Sequence, residues 1–177
     1  MKDKIPFYET VNMFFVGTVF SITLFILLFD KVQYNDSFKA LIKYCEKWSV
    51  IIGVAAIAIM FEVGLVLNKL GSIILSPFLS LIGAWPNKED YKDISEIEKE
   101  RPKFRSLNIE LHAIRTHIIM YFILSVVAII VKKWLFLIAF IPLIALFVFS
   151  CHKTNYVMDK IKKGYLNSKK GEQETEE

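Results

Sequence analysis

The chain has 177 residues, 54% of them apolar and 23% charged, with a formal charge of +4. That length suits one domain. The charge is too small, and too scattered around apolar blocks, to specify a nucleic-acid groove. The apolar residues stand in unbroken blocks between charged stretches rather than at the spacing of a soluble domain, which is the pattern of a membrane protein.

The opening Met1-Lys2-Asp3-Lys4 is basic, but the apolar run behind it is too long for a signal peptide and ends at Phe29-Asp30-Lys31 with no small-residue cleavage site. That run, about 11–29, carries no charge and has the ~20 residues that a helix needs to cross ~30 Å of hydrocarbon. Between it and Trp48, Phe38, Leu41, Ile42 and Cys45 recur at helical spacing and predict a short amphipathic surface helix.

A second span is predicted over about 49–67, rich in small residues (Gly53, Ala55, Ala56, Ala58, Gly64) and carrying one acid, Glu62. With Gly17 of the first span, these small residues allow close helix approach. Apolar character resumes from Leu70 to Trp85, too short for a full span, and is expected to form an interfacial or re-entrant segment ending at headgroup level. Segment 68–117 as a whole is expected to form a loop on the cytoplasmic side. Ser95 and Glu98 have capping-box spacing, so a short helix is expected to begin there; Pro102 either breaks it or opens a new one.

From Pro102 the residues Phe104, Leu107, Leu111, Ile114, Ile118 and Tyr121 recur every three or four positions. This predicts one long helix, amphipathic in its first half and embedded over about 118–131. Lys132-Lys133 makes a tight connection to a fourth span, about 134–150, kinked at Pro142. The tail, 151–177, is polar, and its last residues are expected to be disordered. The fold class is therefore all-α: an integral membrane protein of four transmembrane helices, with an amphipathic or re-entrant segment after the second and a long third helix extending into the cytoplasm.

Sixteen of the 22 Lys and Arg residues fall in the amino terminus, the 68–117 loop and the tail, and six in the two remaining connections. The positive-inside rule then places both termini and the long loop in the cytoplasm, with the chain multi-pass in the cell membrane. Cys45 and Cys151 come to lie on opposite sides and are not expected to pair.

Few residues carry candidate chemistry. Glu62 inside a span costs several kcal/mol unless protonated, paired or hydrated; it is either a pore-lining or proton-accepting group, or a structural acid that fixes packing. Asn12 is the second intramembrane polar candidate. Phe104, Leu107 and Leu111, with Arg105 and Arg115, form a candidate surface for a soluble partner, a lipid headgroup or an anionic signal. His112, Arg115 and His117 cluster, but the five-residue histidine spacing does not put both rings on one helical face, so no metal site is expected. No nucleophile–base arrangement, phosphate-binding loop or paired-cysteine motif is present, so neither catalysis nor a cofactor is expected.

The stretch Pro6-Phe7-Tyr8-Glu9-Thr10-Val11-Asn12-Met13-Phe14-Phe15-Val16-Gly17-Thr18-Val19-Phe20 resembles the opening of small multi-span bacterial membrane proteins, where a polar-aromatic lead precedes an Asn and then a Gly in the first span. Several such families resemble membrane effectors of phage-defence or toxin operons. The resemblance implies a homo-oligomer that disturbs the bacterial inner membrane, and it carries over no functional residue. The expected function is thus an oligomeric effector or ion channel controlled by a cytoplasmic partner or signal; the alternatives are a membrane anchor recruiting a soluble partner, and a small transporter.

Overall fold

The computed structural model describes residues 7–32, 49–86 and 91–176, so the surface helix expected around Phe38–Cys45 lies outside the described residues. Every regular element among them is helical. Helix α1 is Phe7–Val32 and α2 is Ser49–Leu70. A π-helical turn, Gly71–Leu75, joins α2 without a break to α3, Ser76–Leu81. Then come α4, Tyr91–Glu100, α5, Pro102–Ile130, and α6, Leu135–Glu176. Four helices are long and apolar enough to cross a membrane, the architecture of a multi-pass membrane protein.

Two hairpins make up the bundle. In the first, α1 and α2 cross at glycines: a methyl group on Gly17 would overlap the Met60 carbonyl, and one on Gly64 would overlap that of Met13. No other residue allows the backbones so close. The Thr18 hydroxyl beside the crossing donates to Phe14 O at 2.8 Å. Gly53, by contrast, has nothing within 4 Å; of the small residues read as packing sites, Gly17 and Gly64 make the crossing.

In the second hairpin, α5 and α6 run antiparallel as a coiled-coil-like pair. The inward positions of α5 are Phe104, Leu107, Leu111, Ile114, Ile118 and Tyr121; those of α6 are Phe140, Ile144, Phe147, Cys151, Thr154, Met158, Ile161 and Tyr165. Both series alternate steps of three and four, the 3.5-residue repeat that keeps one seam facing a partner. Tyr121 stands 5.8 Å from Phe140 and 5.9 Å from Phe147, ring centre to ring centre. The turn between the helices closes α5 with Lys133 N–H donating to Ala128 O (2.9 Å) and Lys132 N–H to Ile129 O (3.1 Å). This Schellman geometry requires a left-handed residue, here Lys132 at φ 61°. The Lys133 ammonium donates to Ile26 O at 3.1 Å and ties the turn to the far end of α1.

There are two cores. One, in the apolar half, joins Val16, Leu27, Leu67, Met120, Leu124 and Phe140. The other, at the polar end, joins Leu79, Trp85, Ile97, Phe104, Leu111, Met158 and Tyr165, among others.

Several expectations need correction. The fourth helix does not end near Ser150: α6 continues through Glu176, and as far as Tyr165 an apolar seam at unbroken heptad spacing carries it. The Phe104–Leu107–Leu111 face is turned inward: Phe104 and Leu111 are buried and Leu107 packs against them, so α4 and the second half of α6 cover what was read as a partner surface. The short helix before Pro102 starts at Tyr91, a turn ahead of the Ser95 signal. Pro102 takes the first position of α5, after Arg101 in extended geometry (φ −124°, ψ 93°), where its missing N–H costs nothing.

Candidate functional site

Arg115 is the centre of the best-defined polar site. It projects from α5 and is 3% exposed. Its guanidinium donates to Asn68 Oδ1 at 2.9 Å and to Ser76 Oγ at 3.0 Å. Its Cζ lies 4.8 Å from the centre of the Trp85 ring, a distance at which the ring face attracts the cation. Thr116 Oγ1 is 3.2 Å from the same Asn68 oxygen and 2.9 Å from His112 O; with one proton, it donates to one of them at a time.

The π-turn explains how two residues of one helix reach one guanidinium. Asn68 and Ser76 are eight apart, which in a regular α-helix turns the second ~80° away from the first. A π-turn takes up one extra residue. The separation then acts as seven residues, two α-turns, and both side chains face α5. Gly71, inside that turn, lies under Arg115: a methyl group on it would stand 3.4 Å from Ile119 and 3.5 Å from the Arg115 side chain.

After α3 the chain folds back. Gly83 (φ 70°) closes the helix with Ala84 N–H donating to Leu79 O (2.8 Å) and Gly83 N–H to Ser80 O (3.1 Å), again the Schellman pattern. This brings Trp85 back over Arg115 and edge-on to His112, with ring centres 5.2 Å apart. Helix α6 holds the turn: Asn155 donates to Gly83 O (3.0 Å) and the Cys151 thiol to Ala84 O (3.1 Å). His117 points elsewhere and stacks on Phe147 at 5.0 Å.

Beside this network, a cavity of about 170 Å³ opens between α1, α2 and α5, lined by Glu9, Asn12, Asn68, His112 and Thr116 among others. Asn12 thus faces polar groups. Glu62 does not share that cavity. It is exposed and lines an apolar groove of about 440 Å³ walled by Phe20, Ala58, Val66 and Ile123. That groove is the seam between the first hairpin and α5. Arg105 is exposed, as a headgroup or partner contact requires; Arg115 is enclosed and cannot serve as a surface contact without rearrangement. Among the described residues, no group of three or more His, Cys, Asp or Glu side chains is placed to hold a metal.

Sequence reasoning did not assign Asn68, Ser76, Gly71 or Trp85 to this site. Residue 68 fell just past the predicted second span, and Trp85 stood as the headgroup-level end of the segment after it. The Asn68–Ser76 spacing is out of phase for an α-helix, so helical periodicity could not pair them. No family model, no curated protein and no solved structure matches this chain.

Proposed function

We propose that this chain is the subunit of a homo-oligomeric, ion-conducting membrane protein, with Glu62 facing either the conduction path or the neighbouring subunit. The observation that carries the reading is the position of Glu62. It is exposed in the groove between the first hairpin and α5, among exposed Ile59, Val66 and Ala58, and the described residues leave it open. A carboxylate turned to lipid costs several kcal/mol, and intramembrane acids are found facing bundle interiors or water-filled cavities. A further copy packed on this side of α2 removes the exposure. One four-helix subunit is too small to enclose an aqueous path, whereas several around an axis enclose one.

The orientation follows the basic residues: both termini, the 68–117 segment and the end of α6 in the cytoplasm. Exposed Ile73, Ile74, Phe78 and Leu81 give 71–81 a lipid-facing side, and this segment continues the apolar helix Val50–Leu81 toward the cytoplasmic face of the bilayer. The amino-terminal resemblance to bacterial membrane effectors accords with an oligomer that breaches the inner membrane on a cytoplasmic signal. A membrane scaffold is the second reading. It is favoured by the length of α6, whose 42 residues extend ~63 Å, about twice the hydrocarbon thickness, so that its far half projects beyond the bilayer.

The test is ion flux in liposomes carrying purified protein, wild type beside Glu62→Gln. Flux that changes in rate or cation preference in the variant supports the pore. A silent wild type that associates with a soluble protein through the exposed faces of α5 and α6 favours the scaffold.

A further inference from the structure

Resting on the pore reading, we propose that Arg115 and the π-turn form a latch between the two helical hairpins, and that its release widens the Glu62 groove. Three observations meet here. The hairpins differ in how they are held: α1 and α2 lock through Gly17 and Gly64, while α5 and α6 lock along their heptad seam. Arg115 bridges them, bonding Asn68 on one side of the π-turn and Ser76 on the other. The Glu62 groove lies on the same seam, with Phe20 and Glu62 on the first hairpin and Ile123 on the second.

Two individually unfavourable features coincide at this point. A buried charge held by the neutral oxygens of Asn68 and Ser76 is a poor source of stability, and such groups are often replaceable by apolar ones at no loss. A π-turn has poorer geometry than the α-helix around it, and these turns cluster at functional positions. A conformational switch needs such a bistable element. Here the alternative state is an α-helical turn at 71–75. It rotates Ser76 by ~100° relative to Asn68, so Arg115 can keep only one of the two.

The latch also has an input. Trp85 covers Arg115, and the backbone on either side of Ala84 is held by Asn155 and Cys151 of α6. A displacement of the protruding half of α6 therefore moves the 83–85 turn, and with it the Trp85 ring and α3. At the opposite end of the bundle, the Lys133 contact to Ile26 O keeps the hairpins together. Separation is thus expected to open at the Arg115 end and to pivot at the Lys132–Lys133 turn.

The experiment places nitroxide labels at Val11 and Lys160, one on each hairpin, both exposed and both outside the Glu62 groove. The background is Cys45→Ser with Cys151→Ser, in which serine retains a donor for the Ala84 carbonyl. Inter-label distances are measured in liposomes, diluted with unlabelled protein. Asn68→Leu is expected to shift the distribution to longer, broader distances. Ser76→Ala, which removes one bond and little volume, should shift it the same way by less, and it keeps the test open if Asn68→Leu fails to fold. Deletion of Ile73 is expected to leave the distance unchanged, because a regular α-helix then places Asn68 and Ser76 seven apart and both still reach Arg115. Wild-type distances in both substitution variants overturn the latch. A shift on deleting Ile73 as large as that of Asn68→Leu overturns the role given to the extra residue. A distance shift with no ion flux in any variant leaves the latch standing and removes the pore reading alone.

Discussion

The two cores solve the same packing problem in different ways. At the polar end, large side chains interlock: Phe104, Trp85, Met158 and Tyr165 are all buried. In the apolar half, the closest helix contact is glycine on backbone, and large residues face outward, among them Ile51 (61% exposed), Ile138 (72%) and Phe149 (70%). The contrast is what two solvents produce. In water, burying a large apolar side chain is itself the driving force. In lipid, the tails are as apolar as leucine, so helices associate through close backbone approach and polar contacts. On the proposed reading, the polar-end core lies in water and the other in hydrocarbon.

Truncation should break that contrast most sharply. Phe104→Ala empties a fully enclosed site at the polar end and is expected to cost about 3–5 kcal/mol. Loss of the thermal transition of the α4–α5–α6 region, followed by the near-ultraviolet signal of Trp85 in a Trp48→Phe, Trp134→Phe background, would register it. An outward residue such as Ile138→Ala should leave that transition in place.

Enlargement should act in the opposite region. Gly64→Leu forces a side chain onto the Met13 backbone and is expected to cost about 1–3 kcal/mol or more, since a carbonyl cannot rotate aside. Gly53→Leu, where nothing lies within 4 Å, is the matched control and should be neutral. Resistance to unfolding in mixed detergent micelles would rank the two; equal losses would show that the α1–α2 crossing is not held by its glycines.

Smaller effects test the links. Asn155→Ala removes the donor to Gly83 O and should cost about 1 kcal/mol, seen as faster proteolysis between α3 and α4. Lys132→Gly relieves the left-handed turn and should stabilise by roughly 0.5–1 kcal/mol, seen as a raised melting temperature in detergent. A fall instead would mean that the Lys132 side chain contributes more than its backbone conformation costs.

Much of the architecture was legible before any coordinates. Uninterrupted apolar blocks can be satisfied only in lipid, and a spanning segment must be helical because its backbone finds no water there; the four long helices follow from that. The three-four spacing from Phe104 to Tyr121 likewise announced one continuous α5 with an apolar stripe. The matching stripe on α6 was equally present, from Phe140 to Tyr165, but it straddles the change from apolar to polar composition at Ser150. Composition marks where a bilayer can lie, and it does not mark where a helix stops. That is why the fourth helix was expected to end at about residue 150 and the α5 stripe was read as a partner surface.

The sequence by itself determined the class: length, apolar blocks and basic flanks dictate helices that cross a membrane, since local composition sets solvent preference. Only the tertiary structure decided the polar site. Arg115, Asn68, Ser76 and Trp85 are brought together by a change of helical period at Gly71–Leu75 and by a turn at Gly83, and neither follows from the spacing of the residues they unite. Which faces are closed was likewise a tertiary matter. A stripe of apolar residues requires burial, but whether its cover comes from the same chain or from another depends on what the rest of the fold places against it.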